Sequence, residues 1–179
     1  HGGLLRDIGT HVIDQLMWLL GPVEAVSAQI DHVDLPEGRT DAAFMVTLHH
    51  TSGVTSYASS TKLNHLHRRT LRAYGSAGSY EVESTDVQAE AIFAGQRPAD
   101  DRDGWGYDAR EHWGTLHTAD GPESVPSEQG AYFEFYEQFA AACAGHGEAP
   151  SPAVEGVAVL EVLDAARQAA ESRQVVTVG

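Results

Sequence analysis

Apolar residues first recur at helical spacing over residues 6–20, where Val12, Ile13, Leu16, Met17, Leu19 and Leu20 share one face. Asp7, His11, Asp14 and Trp18 occupy the other side, and Gly21-Pro22 ends the pattern with a stop that a helix cannot cross. The period then falls to two. Residues 23–33, 42–50, 54–61, 69–74, 80–82 and 87–93 read as strands, rich in Val, Thr, Ile, Tyr and Phe. Turn residues such as Thr51-Ser52-Gly53 and Gly75-Ser76-Ala77-Gly78-Ser79 join neighbours too closely for crossovers, so the strands pair antiparallel. Residues 96–129, rich in Pro, Gly, Asp and His, read as a long connection. Two helices follow. Residues 131–144 carry Tyr132, Phe135, Tyr136, Phe139 and Cys143 on one face, and residues 153–172 are apolar around much of their girth. A short strand at 175–178 closes the chain.

This order predicts an α+β fold: an open, mostly antiparallel β-sheet with helices packed on one face, in a single domain spanning 1–179. The formal net charge of −15 argues against a nucleic-acid or anionic-membrane partner, although residues 62–72 form one small basic segment. No apolar run approaches the roughly 18 residues that span a bilayer, and no signal peptide is visible. The one cysteine, Cys143, lies among alanines and is expected to be an inert core thiol in a reducing, cytoplasmic compartment. Opening on His1-Gly2-Gly3 directly before a helix, the chain reads as part of something longer.

The candidate chemistry lies on the first helix. Asp7, His11 and Asp14 stand at i, i+4 and i+7, and at about 100° per residue they fall within about 60° of one another. Either His11 takes a proton from a substrate hydroxyl, with Asp7 fixing its tautomer and Asp14 holding a further hydroxyl, or the stripe is a solvated helix face. Trp18 on the same stripe favours the first reading slightly, because a solvated face seldom needs a Trp. Trp105 and Trp113 either line a sugar-sized pocket or pin the long connection. His65 and His67, with His49 or His50 on a neighbouring strand, fit an exposed sheet face or a subunit contact better than a metal site, since no further ligands complete a cage. The sequence holds no Gly-x-Gly-x-x-Gly opening a strand–helix pair, no phosphate loop and no Gly-x-Ser-x-Gly elbow.

The stretch Gly2-Gly3-Leu4-Leu5-Arg6-Asp7-Ile8-Gly9-Thr10-His11-Val12-Ile13-Asp14 resembles the Gly-Gly-x-Leu-x-Asp-x-Gly-x-His-x-x-Asp segment of the Gfo/Idh/MocA oxidoreductases. Leu19-Leu20-Gly21-Pro22-Val23 is similar to that family's helix exit. Leu71-Arg72-Ala73-Tyr74-Gly75-Ser76-Ala77-Gly78 is similar to its Gly-containing hairpin, with Tyr74 and Ser76 as departures. Tyr132-Phe133-Glu134-Phe135-Tyr136-Glu137-Gln138-Phe139, then Pro152 and the Val159–Ala170 helix with Ser172, are similar to its C-terminal signature.

The resemblance implies the C-terminal substrate and oligomerisation domain of a longer two-domain enzyme. NAD or NADP would be bound mainly by an N-terminal Rossmann domain, and a lysine from a Glu-Lys-Pro motif there would complete the site. It implies His11 as acid/base, Asp7 as its partner and Asp14 near the substrate; Trp105, on its aromatic face alone, is taken as a further substrate contact. No cofactor-binding or metal-binding residue is expected in this chain. The implied reaction is hydride transfer at a secondary alcohol of a sugar or cyclitol, with a homo-oligomer formed through the sheet face and no turnover from the 179 residues alone. Two other readings stay open: glycoside cleavage by transient NAD-dependent oxidation, and a non-catalytic assembly domain.

Overall fold

A computed structural model describes residues 3–66, 69–84 and 86–179. The chain divides into two compact units, His1–His65 with Ser151–Gly179, and Leu66–Pro150.

In the first unit, helix α1 (Leu4–Leu20) leads into strands β1 (Val23–Leu35), β2 (Gly38–His50) and β3 (Thr55–Thr61), and the chain returns as α4 (Ala153–Ser172) and β8 (Val176–Thr177). These strands form an antiparallel sheet in the order β3-β2-β1-β8. Register follows the period-two pattern. Ala42, Phe44, Val46, Leu48 and His50 are buried, while the residues between them are partly or fully exposed. Phe44, Val46 and Leu48 pack with Val26, with Leu5 and Ile13 of α1, and with Val162, Leu163 and Ala166 of α4 in one core. The two helices thus cover one face of the sheet, and the α+β architecture with an open antiparallel sheet stands as expected.

In the second unit, β4 (Arg69–Tyr74), β5 (Ser79–Ser84), β6 (Gly114–Thr118) and β7 (Gly121–Val125) form a second antiparallel sheet, accompanied by α2 (Val87–Phe93) and α3 (Tyr132–Cys143). The strands therefore fall into two four-stranded sheets.

Three expectations need correction. Residues 87–93 are the helix α2, not a strand: the Asp86 carboxylate accepts a hydrogen bond from the Ala89 N–H at 3.0 Å and caps the first turn. The region 96–129 is not featureless, since a 3-10 turn (Arg110–His112) leads into the β6–β7 hairpin. That hairpin turns at Asp120-Gly121, with Gly121 at φ 116°, a conformation that favours glycine. Cys143 is exposed rather than in the core, because α3 buries none of its residues and leaves Tyr132, Phe135, Tyr136 and Phe139 on the surface.

Candidate active site

The residues of the first helix separate by face. Gly3, Leu4, Leu5, Gly9 and Ile13 are buried, and Asp7, His11, Asp14 and Trp18 are exposed, Trp18 to 83%. The motif glycines belong to the buried side. A Cβ on Gly9 would lie 3.0 Å from Leu5 Cδ1 and 3.4 Å from Leu163 Cδ2, so its absence lets α4 approach α1. A Cβ on Gly3 would run into the Asp41 carboxylate. That carboxylate, from β2, accepts a hydrogen bond from the Leu5 N–H at 2.6 Å and caps α1 from 36 residues away. The helix therefore starts at a fixed point on the sheet, and Asp7, His11 and Asp14 follow from it along one outward stripe.

Asp7 has a partner that sequence spacing does not reveal. Its Oδ2 lies 3.5 Å from Nζ of Lys62, just beyond β3. Among the described residues, this is the ion pair that Asp7 makes, rather than one with His11. Thr10 Oγ1 donates to the Asp7 carbonyl at 2.8 Å, tightening the same turn. Gly21, at φ 92°, donates its N–H to Met17 O at 2.9 Å and ends the helix.

His50 is buried and structural. Its Nδ1–H donates to the Gly21 carbonyl at 2.8 Å, and its Nε2 accepts from the Ser56 hydroxyl at 2.8 Å, so one nitrogen ties β2 to the end of α1 and the other ties it to β3. Among the described residues no group of three or more His, Cys, Asp or Glu side chains is placed to hold a metal ion, and His67 lies outside the described residues.

Trp105 sits in the second unit, buried, with its indole N–H donating to Gln88 Oε1 at 3.1 Å. The same Gln88 oxygen accepts from the Tyr132 N–H at 3.0 Å, and Gln129 Nε2 donates to the Trp105 carbonyl at 2.9 Å. Of the two roles open to Trp105, this geometry is that of a loop anchor. Trp113 also turns its N–H inward, to the Asp108 carbonyl at 3.3 Å.

The family model described as "Oxidoreductase family, C-terminal alpha/beta domain" (GFO_IDH_MocA_C) matches residues 1–178. The chain belongs to the Gfo/Idh/MocA family. Its relatives include the scyllo-inositol 2-dehydrogenase (NADP(+)) IolW of Bacillus subtilis, 28% identical over 97% of this chain and 49% of that protein. They also include the uncharacterized oxidoreductase YdgJ of Escherichia coli, 31% identical over 96% of this chain and 49% of that protein. The solved structure of yvaA from Bacillus subtilis superimposes with a TM-score of 0.86 at 27% identity, covering 99% of this chain and 53% of that one. The chain thus spans about half the length of the relatives it matches. No helix among the described residues is long and apolar enough to cross a membrane.

The site residues that sequence reasoning missed are Asp41 and Lys62. A signal for each exists: Asp41 is a carboxylate leading an apolar strand, and Lys62 is the sole lysine in the sequence. Neither reveals its partner without the fold.

Proposed function

We propose that residues 1–179 are the C-terminal substrate domain of an NAD(P)-dependent oxidoreductase acting on a secondary alcohol of a sugar or cyclitol, with His11 as the acid/base. The observation that carries the reading is the outward stripe Asp7, His11, Asp14 on a helix whose other face is locked into the core by Gly9 and capped by Asp41. Rigid backing is what a proton-transfer group needs, because misplacement costs rate steeply.

His11, exposed and one turn from Asp7, accepts the hydroxyl proton on its free imidazole nitrogen in oxidation and returns it in reduction. In this reading the Asp7 carboxylate, paired with Lys62, also stabilises the charged imidazolium, and Asp14, one turn beyond His11, accepts a hydrogen bond from a second hydroxyl. The nicotinamide cofactor, when bound, supplies the hydride chemistry.

The Gly-rich turn Gly75–Gly78 joins two strands, and a Cβ on Gly78 would lie 2.7 Å from the His117 carbonyl, so that glycine serves strand packing. In this reading cofactor binding belongs to an N-terminal domain, in line with the NADP(+) named for IolW. Self-assembly through the outer face of the β3-β2-β1-β8 sheet, where Met45 and Tyr57 are exposed, belongs to the same reading.

The test is His11→Asn in the intact protein that carries this chain. Turnover of a polyol substrate should fall about 10²–10⁴-fold, the scale of a lost acid/base, with the unfolding midpoint unchanged because the side chain is exposed. Undiminished turnover rejects the assignment and leaves assembly as the role of this half.

A further inference from the structure

Of the three tryptophans, two are anchored by their own chain: Trp105 donates to Gln88 Oε1 at 3.1 Å, and Trp113 donates to the Asp108 carbonyl at 3.3 Å. Trp18 is not. It is 83% exposed, and among the described residues its indole makes no hydrogen bond and no ring contact. The ring faces and the N–H are open to a ligand.

The place of Trp18 on α1 is specific. At about 100° per residue it lies about 20° from the direction of His11, and Asp14 and Gln15 fall between them, about 60° to one side of His11 and about 40° to the other. All four side chains are exposed. Trp18 starts about 10 Å further along the helix axis than His11, and a long helical side chain leans back over the turn before it. The indole therefore reaches toward the space between Asp14 and Gln15. An imidazole, a carboxylate, an amide and an aromatic ring bound that space, and its length suits one sugar-sized ring.

The surroundings of the indole decide what fits over it. A protein partner anchored on a Trp encloses it among apolar neighbours, where charged residues are depleted. The neighbours of Trp18 one turn back are Asp14 and Gln15, Gly21-Pro22 ends the helix beyond it, and the apolar Leu19 points about 100° away round the helix. A cyclic polyol needs what is present: an aromatic ring for its C–H face, and a carboxylate and an amide for its hydroxyl edge.

We propose that Trp18 is the stacking and specificity-determining residue of the α1 site, and that the substrate is a polyol ring with an unbroken face of axial C–H bonds. That face lies on the indole, Asp14 and Gln15 take hydroxyls of the ring, and His11 meets the reacting one. The proposal rests on the reading of α1 given above and narrows its sugar or cyclitol to rings of this shape.

The test uses the intact protein that carries this chain, saturated with NAD or NADP and labelled with 5-fluorotryptophan. Loss of a ¹⁹F resonance in Trp18→Tyr identifies the Trp18 signal. The probes are scyllo-inositol and glucose, which present the C–H face, and sorbitol, which carries as many hydroxyls as scyllo-inositol on an open chain. The Trp18 signal should move with scyllo-inositol or glucose at concentrations about tenfold below those needed for sorbitol, while the signals of Trp105 and Trp113 stay. By calorimetry, Trp18→Ala should lose that preference of about tenfold, the scale of one ring-sized apolar contact, and Trp18→Tyr should keep most of it. The proposal is overturned if neither ring polyol moves the Trp18 signal, if sorbitol binds as well as either, or if Trp18→Ala keeps the preference. It is equally overturned if Trp18→Ala changes the mass of the assembly in light scattering and leaves binding as it was, which would make Trp18 a subunit contact. His11→Asn should retain the Trp18 response while turnover falls. Turnover of a ring polyol without a Trp18 response rejects the stacking alone, and a response with undiminished His11→Asn turnover rejects the His11 assignment alone.

Discussion

In the unit formed by His1–His65 and Ser151–Gly179, 15 buried apolar residues from α1, β1, β2, β3 and α4 make one continuous core. In the unit formed by Leu66–Pro150, the buried side chains among the described residues are those of Gln88 and Trp105, joined by a hydrogen bond. The first unit is held by non-directional apolar burial, which tolerates a polar, outward stripe on one of its helices. The second depends on a few directional ties: Gln88 to Trp105 and Tyr132, Gln129 to Trp105, and Arg102 to Glu137 with its guanidinium over the Phe133 ring at 4.2 Å. The proposed catalytic stripe would need fixed backing, and it lies on the unit that has the core.

Truncation in the core should have the largest effect. Leu163, fully buried between α1 and the sheet, becomes Ala at a cost of about 2–5 kcal/mol, through lost burial and the cavity left behind. Urea unfolding would register this as a lower midpoint, and a shift well under 1 kcal/mol would mean that the first unit is not organised around this core.

Gln88→Ala comes next. It removes the shared acceptor of the Trp105 and Tyr132 N–H groups, and each donor left without a partner costs about 1–3 kcal/mol. The effect should be local: amide exchange accelerates around Trp105 and Tyr132 while the amides of β2 keep their protection. Equal acceleration in β2 would erase the contrast between the units.

The smallest effect belongs to Arg102 and Glu137, joined by two hydrogen bonds of 2.6 and 2.8 Å on the surface. The hydrogen bonds from Arg102 hold the Glu137 carboxyl below the ordinary carboxylate range. A depressed folded value means that the pair supports the fold above the ordinary carboxylate range and ceases to as pH falls through the lowered value. In a ¹³C titration, Arg102→Gln should return the Glu137 midpoint upward with only a small drop in melting temperature, since both side chains are exposed. An unmoved midpoint would remove this tie from the second unit.

What the chain discloses in advance follows the range of the contacts involved. The first helix and its two faces were legible because period, stop signal and stripe all lie within 17 residues. The strands of β1, β2 and β3 were legible from alternation and short turns. Val87-Gln88-Ala89-Glu90-Ala91-Ile92-Phe93 alternates as a strand would, and only the Asp86 cap in front of it argues for a helix. The tryptophans drew attention correctly as unusual residues, but their partners, Gln88 for Trp105 and Asp108 for Trp113, decide their role. At the site, Asp7, His11 and Asp14 could be named from one helix. Lys62 and Asp41 could not, because their contacts with α1 exist only once the sheet is in register.

The Asp41 cap carries a consequence for how the molecule assembles. A helix usually begins where its own neighbouring residues satisfy its first amides, and it can flicker into existence alone. Here the Leu5 amide is satisfied by a strand 36 residues downstream, so closing that loop precedes the stable first turn. The β1–β2 hairpin has to bring Asp41 into place before the start of α1 can settle. The candidate catalytic surface is therefore a late product of folding, completed only after the sheet that backs it.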